Sequence, residues 1–186
     1  MALQIAAKED LYKHLSDAVL DGGKRAIDFL EFGVFEGASL RFWCSLNKNP
    51  VSRFFGFDSF EGLPEDWHSG KRKGAFSTSG KCPEITDPRV NFVAGWFQRS
   101  LRGFLSSYVP QSQLVIHVDC DLYSSALYCL TTMDPFVSPG TLIVLDDFFD
   151  ALHIYRALAD YCSAYDRQYQ LIARTHQLGQ AAIVML

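Results

Sequence analysis

The chain has 186 residues, of which 48% are hydrophobic and 20% are charged, and its net charge is −4. This is the composition of an ordinary globular protein, and we expect residues 1–186 to form a single domain. The acidic charge balance disfavours nucleic acid and anionic membranes as partners. No apolar run approaches the roughly 20 residues that a membrane span requires.

The cysteines and the N-terminus indicate a reducing compartment. The five cysteines are an odd number and show no C-x-x-C spacing. We therefore expect neither a disulfide framework nor a zinc site. The first residues lack the basic start and the apolar core of a signal peptide. Together these features predict a cytoplasmic protein with reduced thiols.

Helical and strand-like patterns alternate along the chain. Residues 1–23 contain an amphipathic helix from Lys8 to Leu20, which Gly22 and Gly23 end. The later elements are expected as strands over 26–33, 53–58, 90–94, 113–119 and 141–146, and as helices over 38–46, 98–108, 124–133 and 151–165. Residues 59–88 hold many Gly, Pro and Ser residues without a sustained period, which predicts a variable loop with at most one short helix.

The C-terminal part of the chain departs from this alternation. Two strand-like runs, 170–174 and 181–186, are separated only by residues 175–180. This connection is too short for a crossover helix, so the two runs should pair antiparallel as a hairpin. The predicted fold class is α/β, with a Rossmann-like, doubly wound, mostly parallel sheet and a C-terminal antiparallel hairpin. This order resembles class I S-adenosylmethionine-dependent methyltransferases, whereas a dinucleotide-binding domain would more often continue βαβ to its sixth strand.

Four of the expected strands end on acidic residues, namely Glu31, Asp58, Asp119 and the pair Asp146-Asp147. In an open α/β sheet, ligands bind outside the carboxyl ends of the parallel strands. Repeated carboxylates at that edge predict a site for hydroxyl groups, for a cation, or for both.

A glycine turn, Glu31-Phe-Gly-Val-Phe-Glu-Gly-Ala-Ser39, connects the first of these strands to a helix. Glycine at positions 33 and 37 lets the backbone approach a ligand closely, and the amides at the helix start can bind a carboxylate. Glu31 could meet an ammonium group. The G-x-x-x-G spacing disfavours a dinucleotide pyrophosphate. A turn that serves only strand–helix packing is the alternative.

Two further residues favour a nucleoside ligand. Asp58 lies about 21 residues beyond Gly37 and ends the next strand, where an acidic side chain accepts hydrogen bonds from ribose hydroxyls. A carboxylate there rejects a 2′-phosphate, so an NADP-type ligand is disfavoured. Trp96 follows the third strand and could stack on an adenine ring or pack in the core.

The sharpest features are Asp119-Cys120-Asp121 and Asp146-Asp147, at the ends of two strands that are neighbours in this topology. Their carboxylates would repel one another unless they are protonated or share a cation. Hard oxygen ligands of this kind suit Mg²⁺, Mn²⁺ or Ca²⁺. The alternative is that Asp119 and Asp146 only cap the following helices, and Asp121 is expected to be a cap residue.

In their order along the chain, these motifs resemble the macrocin O-methyltransferase family, metal-dependent class I enzymes that methylate sugar hydroxyls. The motifs are EFGVFEGAS, FGFDSFEGLP, GWF, HVDCDLYSS and LDDFF, between about Ile27 and Asp147. The resemblance implies that S-adenosylmethionine is bound by Glu31, Gly33, Gly37, Ser39, Asp58, Ser59, Trp96 and Asp119. It also implies that Mg²⁺ is held by Asp119, Asp146 and Asp147.

The expected function is therefore metal-assisted O-methylation of a small molecule that carries a sugar or catechol-like hydroxyl. Two alternatives stay open: a glycosyltransferase that uses Asp119-Cys120-Asp121 as a D-x-D motif, and a non-catalytic nucleoside-binding module. The catalytic base is not identified, and His153 is a candidate that competes with a structural role. The oligomeric state is also open, including a homo-oligomer.

Overall fold

An eight-stranded, mostly parallel β-sheet runs through the computed structural model, which describes residues 2–68 and 70–186. The strands are β1 (Leu3–Ile5), β2 (Ile27–Phe32), β3 (Arg53–Asp58), β4 (Val90–Ala94), β5 (Gln113–Val118), β6 (Leu142–Asp146), β7 (Tyr169–Thr175) and β8 (Gln180–Met185). The helices are α1 (Lys8–Ala18), α2 (Ala38–Leu46), α3 (Phe97–Leu105), α4 (Tyr123–Met133) and α5 (Ile154–Ala164), and a 3₁₀ turn at Asp134–Phe136 follows α4.

The order of the strands across the sheet is β1-β7-β8-β6-β5-β2-β3-β4. The five strands from β2 to β6 are parallel to one another, while β8 runs antiparallel to both β6 and β7. The chain reverses direction across the sheet between β2 and β5. This is the topological switch point at which ligands bind in doubly wound folds. The predicted parallel core and C-terminal hairpin are confirmed.

The helices cover both faces of the sheet, as a doubly wound fold requires. All residues of β2 and of β6 are buried, because α1 and α2 pack on one face and α3, α4 and α5 pack on the other. Phe29 of β2 packs in the layer of α1 and α2, and Leu30 packs in the layer of α3, α4 and α5. This follows the two-residue alternation of a strand. None of the helices in the described part of the chain is long and apolar enough to cross a membrane.

Two differences from the sequence analysis concern local structure. β1 was not expected, since its three residues are too few to show a period, and it pairs with Ala173–Thr175 of β7. The loop over 59–88 contains no helix in its described residues, and its bridge between His68 and Lys71 is isolated. Loop residues fold instead around backbone turns, so the short helix allowed for that region is wrong.

A buried ionic network closes the edge of the sheet opposite the carboxyl ends of the strands. Asp28 is fully buried near the start of β2 and accepts hydrogen bonds from Arg53 Nε at 2.9 Å and Arg53 Nη2 at 2.5 Å. The Tyr108 hydroxyl at 3.0 Å and the Gln111 backbone N–H at 2.9 Å also donate hydrogen bonds to this carboxylate. This carboxylate joins β2, β3 and the segment before β5.

We expect Asp28→Asn to lower the free energy of unfolding by about 3 kcal/mol, because it removes one partner of a buried ion pair. Urea denaturation followed by circular dichroism measures this loss. Asp17→Asn is the matched control, since Asp17 is exposed on α1 and should change stability by less than about 0.5 kcal/mol. Equal stability of the two variants would contradict the structural role of Asp28.

Candidate active site

The carboxyl ends of β2, β3 and β5 are drawn together around Gly33. The Gly33 backbone N–H donates to the Phe57 carbonyl at 2.9 Å, and the Asp119 N–H donates to the Phe32 carbonyl at 2.9 Å. Gly33 has φ +93°, and a Cβ at this position would lie 1.8 Å from the Asp119 carbonyl oxygen. Only glycine fits here, because both the backbone conformation and the close contact exclude a side chain.

Asp58 organises the turn that follows Gly33. Its Oδ2 accepts the backbone N–H groups of Val34 and Phe35, each at 2.8 Å, and its Oδ1 accepts the Phe60 N–H at 2.7 Å. Oδ2 is therefore saturated, whereas Oδ1 keeps one lone pair for a further donor. Asp58 thus combines a structural role with one remaining acceptor position.

A cavity of about 730 Å³ opens at this edge of the sheet. Its volume lies within the range of small-molecule sites. Six of the predicted cofactor residues line it, namely Gly33, Ser39, Asp58, Ser59, Trp96 and Asp119. Trp96 is half-buried at the start of α3 and faces the cavity, which favours a stacking role over core packing.

Two predicted cofactor residues do not line the cavity. Gly37 has φ +76° at the start of α2, and a Cβ there would meet Pro83 at 3.0 Å and Ile85 at 3.3 Å. The packing alternative therefore describes Gly37, whose glycine lets the 81–88 segment lie against the helix. Glu31 is fully buried and is not among the residues that line the cavity.

Glu31 belongs to a buried polar network that supports the site from behind. Its Oε1 accepts hydrogen bonds from the Ser39 hydroxyl and from His117 Nδ1, the latter at 2.8 Å. The Tyr12 hydroxyl is hydrogen-bonded to His117 Nε2 at 3.1 Å. Burial lowers the pKa of His117, but the bond to the Glu31 carboxylate outweighs it and the pKa is raised overall. Glu31 thereby positions Ser39, which does line the cavity.

A lysine of α1 joins the two acidic strand ends. Lys8 Nζ lies 3.2 Å from Asp119 Oδ2 and also donates a hydrogen bond to Asp146. Asp146 accepts a second bond from Gln180 Nε2 at 2.5 Å. Asp119 and Asp146 therefore meet at one positive charge, as the neighbouring positions of β5 and β6 predicted.

The other two acidic residues, Asp121 and Asp147, lie close enough for each carboxyl group to shift the pKa of the other. Both have left-handed backbone conformations, with φ +60° and +47°. Such conformations are costly for residues other than glycine and are concentrated at functional sites. The expected capping role is wrong, because α4 begins after Leu122 without a side-chain cap and α5 begins only at Ile154.

The carboxylates carry more negative charge than the site neutralises. Burial, followed by the charge of Asp146, raises the pKa of Asp119 to about 7, and burial next to Asp119 raises that of Asp121 to about 8. Burial and the charge of Asp146 raise the pKa of Asp147 to about 6. Burial would also raise the pKa of Asp146, but the Lys8 ammonium holds it below its ordinary value.

The acidic residues do not form a closed set of metal ligands around a common point. Among residues 2–68 and 70–186, the ligand atoms that lie within 4.8 Å of one another belong to Glu31, His117 and Asp119. Asp119, Asp121 and Asp147 line the cavity, whereas Asp146 lies just behind it beside Lys8.

His153 does not reach the site. It precedes α5, and its Nδ1 accepts the Tyr123 backbone N–H at 3.1 Å. It is absent from the described cavity lining, so the structural alternative describes this histidine.

Several residues of the cavity lie outside the motifs and were not predicted. Lys8 and Tyr12 come from α1, and Trp67 and Phe76 come from the long loop. Trp67 Nε1 donates to Asp150 Oδ2 at 3.0 Å, which fastens the loop to the segment after β6. An apolar residue inside a Gly- and Ser-rich loop is the one signal that could have identified Trp67 and Phe76.

A doubly wound sheet with an antiparallel C-terminal hairpin and a cavity at the ends of β2, β3 and β5 is the class I methyltransferase fold. Solved structures share it: the O-methyltransferase NovP matches with a TM-score of 0.68, at 24% identity over 95% of this chain and 78% of that one. CalS11, a calicheamicin methyltransferase, matches with a TM-score of 0.72, at 19% identity over 96% and 80% of the two chains.

The chain belongs to the methyltransferase-domain family, whose model matches residues 30–148. It is similar to the 8-demethyl-8-(2,3-dimethoxy-alpha-L-rhamnosyl)-tetracenomycin-C 4'-O-methyltransferase of Streptomyces olivaceus, at 31% identity over 69% of this chain and 58% of that one. It is also similar to the demethyldecarbamoylnovobiocin O-methyltransferase of Streptomyces niveus, at 32% identity over 55% and 47%. The chain thus spans about half the length of these curated relatives.

Gly33→Ala should lower the free energy of unfolding more than an alanine substitution at another glycine that has a positive φ but no close neighbour. Gly140 is that control, since its φ is +89° and a Cβ there would meet nothing within 4 Å. We expect Gly140→Ala to cost about 1 kcal/mol and Gly33→Ala roughly 3 kcal/mol or more, measured by urea denaturation. Equal losses of unfolding free energy in the two variants would show that the close contact with Asp119 does not destabilise Gly33→Ala.

Proposed function

We propose that the protein transfers a methyl group from S-adenosylmethionine to a hydroxyl group of a small molecule. The observation that carries this proposal is a single cavity that holds the Gly33 turn and Asp58 on one side and Asp119, Asp121 and Asp147 on the other. The first group suits a nucleoside and the second suits a cation or hydroxyl groups. Membership of the methyltransferase-domain family supports the same proposal.

The cofactor would lie along the carboxyl ends of β2, β3 and β5. Asp58 Oδ1 has the free lone pair to accept a ribose hydroxyl, and Trp96 offers a ring face to adenine. Ser39, held by Glu31, lies at the first turn of α2 where the amides favour the carboxylate of an amino acid. Bound there, S-adenosylmethionine supplies an electrophilic methyl group. The chain contributes its orientation, which an in-line displacement requires.

A divalent cation is also part of the proposal, because Asp119 and Asp146 already share one positive charge, the Lys8 ammonium, and a cation would take the same position. Asp119, Asp146 and Asp147 would hold the cation. A cation at this position lowers the pKa of a hydroxyl group bound to it. The raised pKa values of Asp119 and Asp147 support this proposal, because a divalent charge would relieve the repulsion that raises them.

The acceptor class follows from the relatives and from the cavity wall. The relative from Streptomyces olivaceus is named as a 4'-O-methyltransferase of a rhamnosyl-tetracenomycin. The cavity is lined by aromatic side chains beside the carboxylates, which suits a sugar or catechol-like hydroxyl on a larger apolar molecule: Tyr12, Phe35, Phe42, Trp67 and Phe76. We therefore propose a natural product or its glycoside as the acceptor. A cytoplasmic location is also proposed, and it agrees with the five free thiols of the structure.

Calorimetry with S-adenosylhomocysteine tests the cofactor site. The wild-type protein should bind one equivalent, and Asp58→Asn should weaken binding about tenfold or more, because hydrogen bonds to a charged acceptor contribute roughly 1.5–3 kcal/mol. Asp17→Asn is the control and should bind normally. Uptake of a UDP-sugar without S-adenosylhomocysteine would instead support the D-x-D glycosyltransferase alternative.

The double variant Asp146→Ala/Asp147→Ala tests the proposed cation. It should lose Mn²⁺ binding, measured by the spin resonance signal of free Mn²⁺, while its affinity for S-adenosylhomocysteine changes less than about threefold. Transfer of labelled methyl from S-adenosylmethionine to a rhamnoside or a catechol probe should fall with it. Unchanged Mn²⁺ binding and unchanged methyl transfer in the double variant would show that these carboxylates do not hold a cation. If the wild type methylates no probe, the non-catalytic alternative is supported.

A further inference from the structure

We propose that Lys8 is an internal counter-ion that competes with a divalent cation for Asp119 and Asp146. The inference deepens the proposed function and rests on its cation site. Lys8 Nζ contacts both carboxylates at once, at 3.2 Å from Asp119 Oδ2 and through a hydrogen bond to Asp146. Two of the three proposed ligands therefore share one positive charge, which a cation at the same oxygens must replace.

The local helix does not account for the position of Lys8. It is the first residue of α1, where a positive charge opposes the helix dipole. Glu9 and Asp10 supply the favourable negative charges of that turn, and α1 has no side-chain cap. The Lys8 side chain is therefore held in place by the carboxylates at the strand ends and not by contacts within α1.

The backbone before Lys8 is fixed independently of its ammonium group. β1 pairs in parallel with Ala173–Thr175 of β7, and Gln4 Nε2 is hydrogen-bonded to His176 Nδ1 at 2.7 Å. The Lys8 side chain is also 36% exposed. The ammonium group can thus leave the carboxylates toward solvent by side-chain rotation while α1 stays in place.

Charge balance makes the two positions mutually exclusive. A divalent cation at Asp119 and Asp146 would lie beside the Lys8 ammonium, and like charges at contact distance repel strongly in a half-buried site. The other titratable groups near the ammonium are Glu31 and His117 behind the cavity and Asp121 and Asp147 at the cavity wall. Lys8 therefore keeps the site balanced without metal and weakens metal binding.

Titration of Mn²⁺ into chelator-free protein tests the competition directly. We expect Lys8→Met to bind Mn²⁺ about tenfold or more tightly than the wild type, while Lys8→Arg, which keeps the charge, stays near the wild-type affinity. Lys13→Met is the matched control, because Lys13 lies on the same helix and pairs with Asp10 at the surface. In EDTA, Lys8→Met should also melt at a lower temperature, and Mn²⁺ should raise its Tm by more than it raises that of the wild type.

The outcomes separate this inference from the function on which it rests. Tighter Mn²⁺ binding by Lys8→Met supports the competition even where the wild type binds too weakly to measure. Equal or weaker binding by Lys8→Met, or binding by none of the proteins, overturns it. Lys8→Gln replaces Lys8→Met if the methionine variant does not fold. S-adenosylhomocysteine binding is measured on the same samples. If the wild type does not bind it, the methyltransferase proposal is contradicted, but the competition between Lys8 and the cation is not.

Discussion

The site depends on one close approach, the contact between the Gly33 turn and the backbone of Asp119. A side chain at Gly33 would overlap the Asp119 carbonyl oxygen, so this contact sets the distance between the ends of β2 and β5. Asp58 then fixes the direction of the turn by accepting the N–H groups of Val34 and Phe35. The Gly33 turn and the carboxylates of Asp58, Asp119, Asp121 and Asp147 line one cavity because a glycine and an aspartate hold the strand ends close together.

Electrostatic balance is the second constraint on this edge of the sheet. Four aspartates at the ends of β5 and β6 are half-buried or buried, and burial disfavours their charged forms. Lys8 relieves part of this cost by contacting Asp119 and Asp146, while burial still raises the pKa values of Asp119, Asp121 and Asp147. The opposite edge holds one buried aspartate, Asp28, whose hydrogen bonds are fully satisfied. Asp28 is therefore a fully paired charge, whereas burial leaves the pKa values of Asp119, Asp121 and Asp147 raised.

The sequence predicts the central fold well because each buried parallel strand is a continuous apolar run with its own boundaries. Gly33, Asp58, Asp119 and Asp146 could be placed at one edge because they follow such runs directly. Gly37 and Glu31 lie within two residues of cavity residues, but Gly37 packs against Pro83 and the Glu31 side chain is bound to His117, and neither contact can be predicted from the sequence. Lys8 and Trp67 could not be predicted, since their positions are set by β1 pairing and by a loop without period.

The position of β8 has a consequence for the order in which the protein assembles. β8 lies between β6 and β7, so β7 is joined to the central strands through β8, and β1 is joined only through β7. Residues 3–5 therefore have no strand to pair with until residues 180–185 have been inserted. The first described strand thus joins the sheet only through the last two, and this pairing of segments that are distant in sequence favours slow folding.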